Sequence, residues 1–101
     1  MGADMADYIL LMHDDAHDDE GPWEPYLGRL RESGCFQGGS AISAGLCARK
    51  SGGALPPVTE HLTGYIRLHA DSLDHAKYLL AGNPDFEAGG TVEIRELPRT
   101  D

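Results

Sequence analysis

The chain has 101 residues, 41% of them apolar and 25% charged, enough for one modest core and too apolar for a disordered segment. Seventeen acidic residues against eight basic ones give a net charge of −9. Binding to a phosphate backbone or an anionic membrane needs clustered Lys and Arg, and no such cluster occurs, so nucleic acid and membrane are not expected partners.

In chain order, residues 1–6 read as a flexible N-terminal lead. "DYILLMH" is apolar on both faces and rich in strand formers, which predicts a central strand over about residues 7–13. The octet His13 to Glu20, "HDDAHDDE", follows as a connection. "GPWEPYLGRLRESG" predicts a helix: Pro22 or Pro25 fits its first turn, Trp23, Tyr26, Leu27 and Leu30 recur at helical spacing, and Gly34 supplies the stop. A second strand starts at Phe36 and Gln37, with a bulge or bend at Gly38-Gly39. Residues 41–44 and 46–48 are extended stretches of ambiguous kind, and "KSGGALPP" is a loop.

"HLTGYIRLHA" alternates. Leu62, Gly64, Ile66 and Leu68 share one face; Thr63, Tyr65, Arg67 and His69 share the other. "DSLDHAKYLLAGNP" predicts a second helix, capped by Asp71 or Ser72, striped by Leu73, Ala76, Lys77 and Leu80, and stopped at Gly82 and Pro84. "TVEIREL" closes as a strand with Val92, Ile94 and Glu96 on one side and Thr91, Glu93, Arg95 and Leu97 on the other. Residues 99–101 form a tail.

This order, strand-helix-strand-strand-helix-strand, predicts an α+β, ferredoxin-like βαββαβ unit over residues 7–98: an antiparallel four-stranded sheet with two helices on one face. The other face would stay bare in a single subunit, so a homodimer with sheet facing sheet is expected.

"DYILLMH", "SGCFQGGSAI" and "HLTGYIRLHADSLDHAKYLLAGNPDFEAGGTVEIRELP" together resemble the YCII-related, or DGPF-domain, family. The resemblance spans about residues 7–98 and rests on the order and spacing of these pieces. It implies a dimeric α+β barrel of ferredoxin-like protomers. The positions matching the family's Asp-Gly-Pro-Phe read Gly52-Gly53-Ala54-Leu55, and those nearest its proposed His–Asp pair read Trp23 and Glu32. Trp23 carries no titratable proton, so that pair is not transferred to this chain. The resemblance implies some small-molecule chemistry among relatives and names no substrate.

Three sets of residues bear on chemistry. In the acidic octet, His13 and His17 with neighbouring carboxylates have the ligand types of a transition-metal site. The HExxH and calcium-loop spacings are absent, and a solvated loop is the simpler reading, so no metal and no cofactor are assigned. The polar sheet face brings Tyr65, Arg67 and His69 alongside Glu93 and Arg95, with His13 at a strand end. It is read either as a site for a small anionic or aromatic ligand or as an ion-pair network. In the first case Arg67 pairs a carboxylate, Tyr65 supplies a flat wall, and His13 or His69 moves the proton as the catalytic group. Trp23 and Tyr26 read as core, or as a lid over a cleft edge. Cys35 and Cys47 read as reduced apolar residues, His61 and His75 as exposed singles.

Neither a nucleophile elbow nor a phosphate loop occurs, and no secretory or membrane-spanning apolar run is present. A cytoplasmic protein is expected. Two functions remain: a cofactor-independent enzyme doing proton-transfer chemistry, isomerase- or lyase-like, in a dimer-interface cleft, or a non-catalytic small-ligand-binding or regulatory dimer.

Overall fold

A computed structural model describes residues 5–50 and 52–98. The elements run β1 (Ala6–His13), α1 (Glu24–Ser33), β2 (Phe36–Ala41), β3 (Leu62–Ala70), α2 (Leu73–Tyr78), α3 (Pro84–Glu87) and β4 (Val92–Leu97). The sheet order is β2-β3-β1-β4, antiparallel throughout, as the βαββαβ reading requires. Most of the predicted N-terminal lead and all of the tail lie outside the described residues; Ala6 already opens β1.

Alternation sorts the sheet into two faces. Tyr8, Leu10 and Met12 of β1 and Ile66, Leu68 and Ala70 of β3 are buried on one. Tyr26 and Leu30 from α1 pack there, with Ala76 of α2 and Leu80 beyond it. The Tyr26 hydroxyl donates to the Leu79 carbonyl at 2.8 Å and ties α1 to the turn after α2. On the opposite face Asp7, Ile9, Leu11, Tyr65, Arg67, His69, Glu93 and Arg95 are half-buried or exposed, and none is buried. This is the face expected to be bare.

Three details differ from expectation. First, there are three helices. Pro84 does not merely end the second; it opens α3, because Asn83 caps it by accepting from the Phe86 N–H at 3.0 Å. Proline is favourable at a helix start, where its missing N–H has no partner to lose. Second, α2 ends at Tyr78 and continues as turns to Gly82, whose φ of 88° suits glycine. Of its predicted stripe, Leu73 and Lys77 face solvent, and the buried residues are Ala76 and Leu80. Third, the β2–β3 connection is long and open. Among its described residues 42–61, all but Cys47 and Val58 are exposed. The radius of gyration is 15.6 Å, above the ~13 Å of a compact 100-residue domain, as an outstretched connection requires. No helix among the described residues is long and apolar enough to cross a membrane. Cys35 is buried and Cys47 half-buried, both as free thiols.

Candidate functional site

The helix-covered side of the sheet contains a cavity of about 400 Å³. That is the lower end of the size range for small-molecule sites. Trp23 at the start of α1 and Leu27 one turn on form one wall; Met12, Phe36 and Ile66 form the apolar floor and sides. Two strand glycines, Gly39 and Gly64, line the space where side chains would otherwise stand. Gly38, with φ 122°, marks a bulge in which Phe36 pairs with Leu68 and Gly38 with Arg67. The extra residue shifts the alternation of β2, so Phe36, Gly39 and Ala41 all belong to the cavity side.

A Cβ at Gly39 would lie 2.5 Å from the Tyr65 carbonyl oxygen, so the two strands would have to part. Gly39→Ala is therefore expected to cost about 1–3 kcal/mol in a denaturant melt. An unchanged melt would show that the β2 edge yields freely and that the glycine is not required for the close approach.

The polar end of the cavity is acidic. Glu20 and Asp85 both line it. Asp85 is 3% exposed and its Oδ2 has no hydrogen-bond partner. Gly90 makes room for it: a Cβ there would stand 2.6 Å from Oδ2. Burial, and then the nearby charges of Glu20 and Asp15, push the Asp85 carboxyl up to about 6, against a weaker opposing pull from His13.

The octet at 13–20 positions this end. Asp15 accepts from the Thr91 N–H at 2.7 Å and from its hydroxyl at 2.6 Å. Those bonds hold the Asp15 carboxyl below its usual value. The N–H groups of His17 and Asp18 both donate to the Ala88 carbonyl, at 3.1 and 3.0 Å. The segment is thus stapled to the turn between α3 and β4, and Glu20 arrives at the cavity. The octet is an exposed loop, as read from the sequence, and its backbone is tied down at His17 and Asp18. Among the described residues no three His, Cys, Asp or Glu side chains converge as metal ligands.

The opposite face carries most of the sequence-derived candidates. His13 Nε2 lies 3.4 Å from Glu93 Oε1, and Arg95 donates to Glu93 Oε2 at 3.1 Å. Arg95 first, then His13, lower the Glu93 carboxyl. At the other end of the sheet His69 Nδ1 stands 2.8 Å from Asp7 Oδ1, and its Nε2 stands 2.6 Å from Gln37 Nε2. The arrangement is satisfied with the ring N–H on Nδ1 pointing to the carboxylate and Nε2 accepting from the amide. Tyr65 and Arg67 lie between these two clusters on β3. Tyr65 also contributes to the cavity's edge.

Trp23 stands apart from that set. It lines the cavity on the helix side, whereas His13, Arg67, His69, Glu93 and Arg95 belong to the outer face. The chain therefore does not bring the seven candidates into one cleft. Tyr26 is core, 2% exposed, and Trp23 is half-buried against that core. His61 and His75 are not singles: His61 meets the His13 ring edge-on at 4.8 Å, and His75 Nδ1 accepts from the Asp71 N–H at 3.0 Å.

Sequence reasoning missed Asp85 and gave Glu20 no role beyond the octet. Asp85 follows Asn-Pro in a segment with no hydrophobic period, so nothing marked it as buried. The available signal was the pair of strand glycines opposite an aromatic residue. Neither a scan against protein-family models nor a search of curated proteins finds a match for this chain.

Proposed function

We propose that the protein is a small-molecule enzyme of the proton-transfer class, isomerase- or lyase-like, working at the helix-side cavity. What supports this is the buried Asp85 carboxyl, one oxygen of which has no hydrogen-bond partner, in the wall of a largely apolar cavity. A general base works best with a pKa near the operating pH, and burial moves Asp85 in that direction, to about 6. Ionised Asp85 would take a proton from a weakly acidic position of the substrate and return it elsewhere, or leave it there as a group departs. Glu20, beside it, raises its proton affinity, and Trp23 and Leu27 exclude water from the reacting centre. Such chemistry needs no cofactor.

Solvent-deuterium exchange tests this reading. A panel of small ketones, phenols and hydroxylated aromatics, with and without a primary amine, in heavy water, followed by proton NMR, should include at least one compound whose exchange is accelerated by the native protein and not by Asp85→Asn. Equal exchange with both proteins across the panel would contradict it.

The remaining expectations join this reading. The resemblance to the YCII-related family and a cytoplasmic setting fit the strand order, the two free thiols and the open outer face. A homodimer closing that face into an α+β barrel would bury Ile9 and Leu11 at its centre, flanked by Tyr65, Arg67, Glu93 and Arg95. Leu11→Arg is then expected to convert a dimer to single subunits, a halving of mass in sedimentation equilibrium. Native protein that sediments as one subunit at micromolar concentration would contradict the dimer.

A second reading, a ligand-binding or regulatory dimer without turnover, is favoured at the outer face. There His69 has both ring nitrogens engaged and His13 is held by Glu93, as expected of groups with a structural role.

A further inference from the structure

The cavity's charge pattern says what kind of molecule it would accept. Its charged lining residues are Glu20 and Asp85, both acids; among the described residues no Lys or Arg lines it. Three titratable groups act on Asp85, and His17 stands by the adjoining turn. Glu20 and Asp15 oppose its ionisation and His13 favours it. His17, whose ring packs on Gly89 in the adjoining turn, has Asp18 at 3.6 Å. The His13 ring is engaged with Glu93 on the other face. A carboxylate or phosphate entering here would lose its hydration and meet only like charge. An ammonium would meet two carboxylates, one of them with a buried oxygen that lacks any donor. The remaining walls, Trp23, Leu27, Phe36 and Ile66, suit an apolar or aromatic body, and an indole is the best side-chain neighbour for a cation.

We propose that the cavity binds a small organic cation: a primary amine carried on an apolar or aromatic body, its ammonium held between Glu20 and Asp85. The ligand class of the polar sheet face, small and anionic, therefore does not extend to this chamber. The inference rests on the cavity being the ligand site of the proposed function, and it adds the sign of the ligand's charge.

Occupancy is linked to protons. The ammonium needs Asp85 ionised, so below about pH 6 it must displace a proton, and affinity falls up to tenfold for each further unit of acidity. Above that window affinity is level until the amine itself deprotonates.

The test uses the full chain and three near-isosteric probes at about 0.15 M salt, which screens the general attraction of a protein of net charge −9. The probes are 2-phenylethylamine, 2-phenylethanol and phenylacetate, measured by calorimetry at pH 7.5 and 5. The amine is expected to bind at pH 7.5, about tenfold more weakly at pH 5, and at least tenfold more weakly to Asp85→Asn and to Glu20→Gln. Asp74→Asn, an exposed acid on α2, should bind it as the native chain does. Phenylacetate should not bind.

No binding of the amine, phenylacetate binding as tightly as the amine, or amine affinity unchanged in both cavity variants would each overturn the proposal. An alcohol that binds through Asp85 while the amine does not would overturn it too, yet leave the proton-transfer reading standing. Amine binding together with a normal Asp85 titration would do the reverse.

Discussion

Asp85→Asn is expected to make the protein more stable at pH 7.5, by up to about 3 kcal/mol, while lowering any proton-transfer rate 10²- to 10⁴-fold. An aspartate free in the unfolded chain titrates at 3.8, and Asp85 in the folded chain at about 6. Between those values the folded state keeps a proton that the unfolded state has released. Stability therefore falls as pH rises through this window, and it is level on either side. Above the window the folded protein holds an ionised carboxylate, 3% exposed, whose Oδ2 accepts nothing. Asparagine removes that charge, and its amide offers donors toward Glu20. Urea melts at pH 4, 5, 6 and 7.5 should show the gain growing with pH and vanishing near pH 4. A variant less stable than the native chain at pH 7.5, with the native pH slope, would mean that the carboxylate is bound as an ion by the fold. The trade of stability for a charged group in a cavity is the usual mark of a working site.

Leu68→Ala should cost about 2–5 kcal/mol, a large share of the ~5–15 kcal/mol that holds a domain of this size together. Leu68 is fully buried on β3, which pairs with both β1 and β2. It faces Tyr8 on one side and Phe36 on the other in register, so truncation opens a hole where three strands meet. At roughly 4–8 °C per kcal/mol, the midpoint of thermal unfolding should fall by about 10 °C or more. Leu46→Ala is the control. That residue is 83% exposed in the β2–β3 connection, and its loss should change stability by less than about 0.5 kcal/mol. Similar losses at both positions would mean that the connection is docked and that the core is not where the alternation puts it.

The fold was legible because its signals are periodic. Leu62, Gly64, Ile66 and Leu68 against Thr63, Tyr65, Arg67 and His69 is a period of two that only one sheet orientation satisfies, and the structure keeps that division. Gly34 at φ 78° and the bulge at Gly38 were readable from glycine's access to positive φ. The third helix was not. Pro84 after Gly82 reads as a stop, and only the spatial fact that Asn83 turns back to cap Phe86 makes it a start.

The candidate site was half legible. Residues of the outer face were assigned to one surface correctly, since alternation suffices for that. Which residues open into a cavity depends on what stands opposite, and one sequence carries no such information. Trp23 was placed with the outer-face set because helix and strand candidates were pooled; the sheet itself separates them. Asp85 was invisible for a further reason. Its side chain stands against Gly90, and the turn there is pinned at Thr91 to Asp15 of the octet, far away in the chain.

The most direct test is the titration of one carboxyl. With ¹³C-labelled aspartate, the Asp85 side-chain carbon should report a midpoint near 6, the value its surroundings impose, and in Glu20→Gln the midpoint should move down as the neighbouring charge is removed. A midpoint at about 4 or below, unmoved by Glu20→Gln, would show an ordinary ionised surface carboxylate and contradict a proton-carrying group in the cavity wall.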